Sequence, residues 1–154
     1  MLVTINTDAS YHPQHKVGAY AFWIISNQGR FLKAGAFKEL IENSTQAEAQ
    51  CIINAIHYFK KQDWKEVTKI IINTDALNAI AIFKKTKSKI KKYNLRYGNS
   101  LSEKFDEITK GFPSIEFRHV KAHKKNGTAR NWVNDWCDKS AKEMLWKEIN
   151  NTKK

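Results

Sequence analysis

The sequence predicts a mixed α/β domain in which three strands come first and helices then alternate with strands. Apolar and polar residues alternate over residues 1–7, which is the period of a strand with one buried face. Over residues 45–61 apolar residues recur every three or four positions instead, as in an amphipathic helix. The continuous apolar run Ile70-Ile71-Ile72 predicts a strand that is covered on both faces.

The remaining elements are predicted from turn signals and from the spacing of apolar residues. Residues 17–26 and 30–37 flank Asn27-Gln28-Gly29, a hairpin signal, and a turn is predicted at residues 10–16. The other predictions are a strand at 67–74, a helix at 75–83, a helix at 101–110, a strand at 114–120 and a closing helix at 131–149. The predicted order is βββαβααβα, with residues 1–150 as a single domain and residues 151–154 as a short polar tail.

Length and composition exclude several classes of protein. A chain of 154 residues suits one domain, and its apolar runs are far shorter than the roughly 18 residues that suggest a membrane span. Residues 1–7 do not resemble a secretory signal, so we expect a cytoplasmic protein. Cys51 and Cys137 have no neighbouring ligand pattern, which favours buried thiols over a disulfide or a zinc site.

The charge of the chain favours a polyanionic partner. Lys and Arg number 27 against 15 Asp and Glu, a net charge of +12, and nucleic acid is the leading partner, although plain solubility remains an alternative. A group of six lysines, here called the lysine strip, is dense in positive charge and has Arg96 just beyond it. The lysine strip consists of Lys84, Lys85, Lys87, Lys89, Lys91 and Lys92.

Four acidic residues stand where a carboxylate needs a partner. They are predicted at the end of the first strand, in the first turn of the first long helix, at the end of the apolar strand and in the first half of the last helix: Asp8, Glu48, Asp75 and Asp138. A carboxylate beside a buried strand is costly unless it is paired, protonated or bound to a cation, so several together would require a metal. Asp8 and Asp75 could instead cap the turn or helix that follows each of them. Glu48 has the capping-box spacing from Thr45, and Asp138 could be an ordinary solvated acid.

Five segments resemble the successive motifs of type I ribonuclease H, in order and at suitable spacing over nearly the whole chain. They are Thr7-Asp8-Ala9-Ser10, Thr45-Gln46-Ala47-Glu48-Ala49, Asn73-Thr74-Asp75-Ala76, Val120-Lys121-Ala122-His123 and Asn134-Asp135-Trp136-Cys137-Asp138-Lys139-Ser140-Ala141. One such segment alone would be weak evidence, whereas five in this order are strong evidence. The resemblance implies the ribonuclease H-like fold, a five-stranded mixed sheet flanked by helices.

The resemblance also implies a reaction and a metal. Asp8, Glu48, Asp75 and Asp138 match the catalytic, metal-binding acids of the family. Asp135 is a rival for the last role, and we prefer Asp138 because the family's acid directly follows the small residue that Cys137 matches. Oxygen ligands of this kind suit Mg²⁺, with Mn²⁺ as a substitute, and the family implies two ions about 4 Å apart. One ion would help to generate the nucleophile from water, and the other would stabilise the leaving 3′ oxygen. The implied reaction cuts the RNA strand of an RNA·DNA hybrid and leaves 5′-phosphate and 3′-hydroxyl ends.

His123 matches a catalytic histidine that lies in a mobile loop beside the metals of the family and is thought to assist proton transfer or product release. Residues 124–127 are compatible with such a loop, and a surface histidine near a basic turn is the ordinary alternative. A zinc site formed with His119 is disfavoured, because no matching cysteine or carboxylate cluster lies near it in the sequence.

The resemblance assigns contacts with the substrate to two groups of residues. Ser10, Asn43, Ser44 and Thr45 match positions that line the minor groove of the hybrid, where contacts to 2′-hydroxyls select RNA. By analogy the lysine strip would bind phosphates of the DNA strand with little sequence preference. We expect an RNA·DNA hybrid as the partner, no membrane, and a monomer.

Three departures from the family pattern bear on the substrate. Tyr11-His12-Pro13-Gln14-His15-Lys16 replaces a glycine-rich turn, Ser44 and Thr45 stand where many members have two asparagines, and Leu77 occupies a position that is often polar. Recognition of the hybrid could therefore differ while the metal chemistry is kept.

Two other functions remain open. A non-cleaving hybrid-binding module of the same fold is disfavoured, because it would have no reason to keep four like charges together. A DNA-directed nuclease that acts on junctions or ends is disfavoured by the compact length and by the Val-Lys-Ala-His segment.

Overall fold

The computed structural model describes residues 1–38, 40–84, 98–120 and 129–152 of the chain. Strands and helices follow one another within these residues in the predicted order. The strands are β1 (Leu2–His12), β2 (Val17–Ser26), β3 (Gly29–Ala36), β4 (Lys69–Thr74) and β5 (Ser114–His119). The helices are α1 (Ser44–Lys61), α2 (Leu77–Phe83), α3 (Gly98–Ile108) and α4 (Ala129–Thr152).

The five strands form one mixed sheet in the order β3-β2-β1-β4-β5, which confirms the predicted fold class. The first three strands are an antiparallel meander, whereas β1 pairs with β4, and β4 with β5, in parallel. Parallel pairing of β1 with β4 places Asn6 opposite Asn73. Asp8, two positions further along β1, and Asp75, which directly follows β4, therefore lie at the same level of the sheet.

Helices cover both faces of the sheet and bury its centre. Val3 and Ile5 of β1 are fully buried in a cluster with Ile52 and Ile56 of α1. Because successive residues of a strand face opposite sides, the other face of β1 and β2 packs on α4, where Cys137 joins a second buried cluster. Both cysteines are buried free thiols, as predicted.

The first strand is longer than predicted. The prediction ended it at residue 7 and placed a turn at residues 10–16, but β1 continues to His12, where it pairs with Val17 of β2. The alternation of apolar residues reports burial, whereas strand pairing needs only backbone groups, so the strand continues after its side chains become polar. Asp8 consequently lies inside β1 and not at its end.

Smaller differences concern where the other elements begin and end. β4 begins at Lys69, two residues later than predicted, and α2 begins at Leu77, so that Asp75 precedes the helix. The closing helix runs on to Thr152, two residues into the predicted polar tail. Among the described residues, no helix combines the length and the apolar character that crossing a membrane requires.

Candidate active site

Three acidic side chains that are far apart in the sequence meet at one end of the sheet. Asp8 comes from β1, Asp75 directly follows β4, and Glu48 comes from α1. A carboxylate oxygen of each lies within 4.8 Å of one from each of the others. We call these three residues the carboxylate cluster.

Glu48 is held in the carboxylate cluster by the start of α1. It lies in the second turn of the helix, not the first as predicted, and it does not form a capping box with Thr45. Asn43 is the N-cap instead, and its Oδ1 accepts a hydrogen bond from the amide of Gln46 at 2.9 Å. Glu48 is therefore free of a capping role.

One backbone amide binds two of the carboxylates. The amide of Ala9 donates to Asp8 Oδ1 at 2.9 Å and to Glu48 Oε1 at 3.2 Å. Glu48 Oε2 is buried and has no hydrogen-bond partner among the described residues. A buried carboxylate oxygen without a partner is costly, and a cation would remove that cost.

Burial and mutual repulsion make these carboxylates weak acids in the metal-free protein. Burial, together with the nearby charges of Asp75 and Asp138, raises the pKa of Asp8 to about 8. The pKa of Glu48 is also raised, first by burial and then by the charges of Asp8 and Asp75. At neutral pH the carboxylate cluster therefore retains a proton unless a cation replaces it.

The fourth predicted acid lies just outside the carboxylate cluster. Asp138 is part of α4, and its Oδ2 accepts a hydrogen bond from Lys142 Nζ at 3.1 Å. It is nevertheless close enough for its charge to raise the pKa of Asp8. Asp135 is exposed and makes no such contribution. Of these two acids, Asp138 is therefore the one whose charge acts on the carboxylate cluster.

The residues present fit a divalent cation. Carboxylate oxygens are the ligands that Mg²⁺ prefers, and the carboxylate cluster supplies three of them with one orphaned buried oxygen. Carboxylates at this spacing repel one another, and a bound cation would offset that repulsion because it attracts each of them.

A model of the RNase H family matches residues 2–145 of the sequence. The chain belongs to the RNase H family. A search of curated proteins found no match.

Solved structures of RNases H share this fold over almost their whole length. LC11-RNase H1, isolated from compost by a metagenomic approach, is 16% identical with a TM-score of 0.71, and 96% of this chain and 97% of that chain are covered. RNase H1 from the halophilic archaeon Halobacterium salinarum NRC-1 is 16% identical with a TM-score of 0.66, and the match covers 96% of this chain and 99% of that chain. A second structure of LC11-RNase H1, in complex with an RNA/DNA hybrid, is 15% identical with a TM-score of 0.67, at 96% and 99% coverage. At such identities the similarity shows the fold alone.

Beneath the carboxylate cluster of this RNase H family member lies a buried pair of amides. Asn73 Nδ2 donates to Asn6 Oδ1 at 2.9 Å, and Asn6 Nδ2 donates to the carbonyl of Trp23 at 3.4 Å. Each asparagine stands two residues before an acid of the cluster. We did not predict this pair, although polar residues inside two apolar strands, at equal distances from two acids, are a signal that could have identified it.

The two thiols lie behind the same carboxylates. Cys51 Sγ donates to the carbonyl of Asp8 at 3.3 Å, and Cys137 Sγ donates to that of Asn6 at 3.8 Å. Burial raises the pKa of both thiols, so they remain protonated and do not supply nucleophiles.

The predicted minor-groove residues lie beside the carboxylate cluster. Ser44 and Thr45 line a pocket of about 310 Å³ together with Glu48 and Asp75. Leu77, one of the departures from the family pattern, lines the same pocket and is half exposed. Ser10 follows Asp8 by two residues in β1. Asn78 of α2 also lines the pocket and was not predicted.

Several predicted positions lie outside the described residues. These are His123, Lys85, Lys87, Lys89, Lys91, Lys92 and Arg96. Lys84 is described and lies exposed at the end of α2. His119 ends β5, and its Nε2 lies 3.2 Å from the backbone oxygen of Asp75.

Asn43 can be tested for two separate roles. Asn43→Ala should lower the free energy of unfolding by about 1 kcal/mol, because the amide of Gln46 loses its cap. Asn43→Ser should keep the cap and most of the stability. Urea unfolding measures the contribution of the cap to stability, and a change in KM for the hybrid reports a contact between the Asn43 side chain and the substrate. Unchanged stability in Asn43→Ala would contradict the capping role.

Proposed function

We propose that this protein is a ribonuclease H that hydrolyses the RNA strand of an RNA·DNA hybrid with divalent metal ions. The observation that carries the proposal is the carboxylate cluster, in which three acids lie within 4.8 Å of one another. Burying like charges is unfavourable unless a cation or a proton joins them. Membership of the RNase H family supports the class of reaction.

We assign Asp8, Glu48, Asp75 and Asp138 as the residues that would hold Mg²⁺, with two ions in the working enzyme and Mn²⁺ as a substitute. Bound ions would lower the pKa of a water molecule and offset the negative charge at the leaving 3′ oxygen. The products would carry 5′-phosphate and 3′-hydroxyl ends. By family resemblance, His123 would assist proton transfer or product release.

The protein's own groups would keep these carboxylates in place. The amide of Ala9 holds one oxygen of Asp8 and one of Glu48, which leaves Glu48 Oε2 for a cation. Asp138 is tethered by Lys142, and it would join the other acids when a cation attracts it.

The substrate assignment rests on the residues around the carboxylate cluster. Ser10, Asn43, Ser44 and Thr45 are assigned to the RNA side of the minor groove, where 2′-hydroxyls distinguish RNA from DNA. The complex of LC11-RNase H1 with an RNA/DNA hybrid supports the same substrate class here. The monomeric state and the cytoplasmic location remain predictions.

The deciding experiment mixes the protein with a labelled RNA·DNA hybrid and Mg²⁺, with and without chelator. We expect cleavage of the RNA strand that stops when the metal is removed. Binding without cleavage would favour the hybrid-binding module instead. A competition among hybrid, duplex DNA and duplex RNA tests the remaining alternative, a DNA-directed nuclease. Preferential cutting of duplex DNA would favour that alternative.

The lysine strip is tested by removing three of its charges. Replacing Lys89, Lys91 and Lys92 with alanine should weaken binding of the hybrid and flatten its dependence on salt, by up to about 0.9 in the log–log slope for each lost phosphate contact. Binding measured across a range of salt concentrations gives the slope. An unchanged slope would exclude these lysines from the interface.

A further inference from the structure

A continuous surface leads away from the carboxylate cluster between β1 and α4. Asp8, Ser10 and His12 alternate along β1 and therefore share one face of the strand. Asp138, Lys142 and Trp146 follow one another at four-residue intervals along α4. At the end beside the carboxylate cluster, Asp8 is close enough to Asp138 for the charge of Asp138 to raise its pKa. At the other end, the ring centroids of His12 and Trp146 lie 5.8 Å apart.

The far end of this surface is aromatic and exposed. Trp146 is 53% exposed, which is unusual for so large an apolar side chain. Its ring meets that of His12 edge to face, and the ring of His15 lies 4.7 Å from that of His12. The turn that replaces the family's glycine-rich segment thus supports an exposed indole.

Lysines outnumber acidic residues beside the indole. Lys142 and Lys147 line a shallow pocket of about 440 Å³ with Trp146, in which Glu143 is the acidic lining residue. Lys16 lies exposed in the neighbouring turn. An exposed aromatic ring among lysines is the combination with which proteins bind single-stranded nucleic acid, because every base has a face that can stack and every nucleotide a phosphate.

We propose that this surface, the Trp146 surface (His12, His15, Lys142, Trp146 and Lys147), binds an unpaired segment of the RNA strand that the carboxylate cluster cuts. A base would stack on Trp146, and the lysines would contact phosphates. The occupant is the RNA strand because the surface is continuous with the carboxylate cluster, and it is unpaired because stacking needs an exposed base face. This inference rests on the proposed function and extends its substrate to hybrids with single-stranded RNA ends.

The length of the surface sets the design of the substrate. His12 lies four positions after Asp8 in β1, a span of about 13 Å at roughly 3.3 Å per residue. Stacked nucleotides repeat at about 3.4 Å along one strand, so the Trp146 surface lies on the order of four nucleotides from the carboxylate cluster. An RNA overhang of about six nucleotides should therefore reach it.

The experiment compares KM and kcat for a blunt hybrid, for hybrids with an RNA overhang at either the 5′ or the 3′ end, and for hybrids with a DNA overhang instead. We expect one of the two RNA overhangs to lower KM of the native protein by about fivefold to a hundredfold, the usual effect of stacking one base. Trp146→Ala should abolish this gain, and Trp146→Phe should retain most of it. Activity on the blunt hybrid should be the same in all three proteins.

A matched control removes a different exposed apolar side chain. Ile25 is 44% exposed and lies at the opposite end of β2, so Ile25→Ala should keep the full gain. The proposal is overturned if neither RNA overhang lowers KM, if Trp146→Ala keeps the gain, or if only an overhang on the DNA strand produces it.

A binding measurement separates this proposal from the proposed function. Single-stranded RNA added in the presence of chelator should quench tryptophan fluorescence of the native protein, and Trp146→Phe should lose most of the quenching. Quenching equal in both proteins would overturn the Trp146 surface even where the hybrid is cut. Failure to cut the blunt hybrid, with quenching intact, would count against the proposed function alone.

Discussion

Replacing Asp8 with asparagine is expected to reduce cleavage of the hybrid by more than about a hundredfold while binding of the hybrid is retained. The side chain keeps its shape but loses the charge of a residue that is central to the carboxylate cluster. Changes in the outer shell of metal sites already reduce activity or metal affinity by 10–100-fold, so loss of a ligand should exceed that range. Single-turnover cleavage and a separate binding titration measure the two effects.

Asp63 offers a matched control for this substitution. It lies in an exposed ion pair with Lys65, 81% accessible, between α1 and β4. Such pairs contribute little, so Asp63→Asn should leave cleavage unchanged. Substantial residual cleavage in Asp8→Asn would contradict the role assigned to Asp8.

Binding of Mg²⁺ should strengthen steeply with pH up to about pH 8. Burial and neighbouring acids raise the pKa of Asp8 to about 8, so Mg²⁺ must displace a proton at lower pH. Each displaced proton changes the apparent affinity by about tenfold per pH unit, or about a hundredfold between pH 6 and pH 8. Titration calorimetry at several pH values, in buffers of different ionisation enthalpy, counts the protons released. Affinity independent of pH would contradict a protonated carboxylate cluster.

The same proton determines the stability of the metal-free protein. The pKa of Asp8 is higher in the folded protein than its ordinary value of 3.8, so the folded state holds the extra proton between these two pH values. Stability in chelator should therefore fall as pH rises from about 4 through 8, and Asp8→Asn should reduce that fall. Saturating Mg²⁺ should raise the melting temperature more at pH 8 than at pH 6.

The fold was predictable because its signals are periodic. Alternation in β1, helical spacing in α1 and the apolar run in β4 each identify an element, and these elements hold the core. The boundaries were less predictable, because β1 extends into polar residues that pair with β2 through the backbone alone.

The carboxylate cluster could be predicted only from the resemblance to a family. Asp8, Glu48 and Asp75 each had an ordinary alternative, since nothing in their spacing measures distances between separate elements. Their convergence depends on the parallel register of β1 with β4 and on the position of α1, which are tertiary facts. The aromatic contact between His12 and Trp146 has the same origin, because it joins residues that are more than a hundred positions apart.

The buried amides of Asn6 and Asn73 also discriminate against misaligned strands. The neighbouring positions of β1 and β4 are largely aliphatic, so they would accept several alignments at similar energy. If β4 were shifted by two positions along β1, Asn6 and Asn73 would both be buried but could no longer hydrogen-bond to each other. Each unsatisfied amide would cost about 1–3 kcal/mol of stability. The shift would also move Asp8 away from Asp75 by roughly 6–7 Å. Correct assembly of the sheet and formation of the carboxylate cluster are thus selected together during folding.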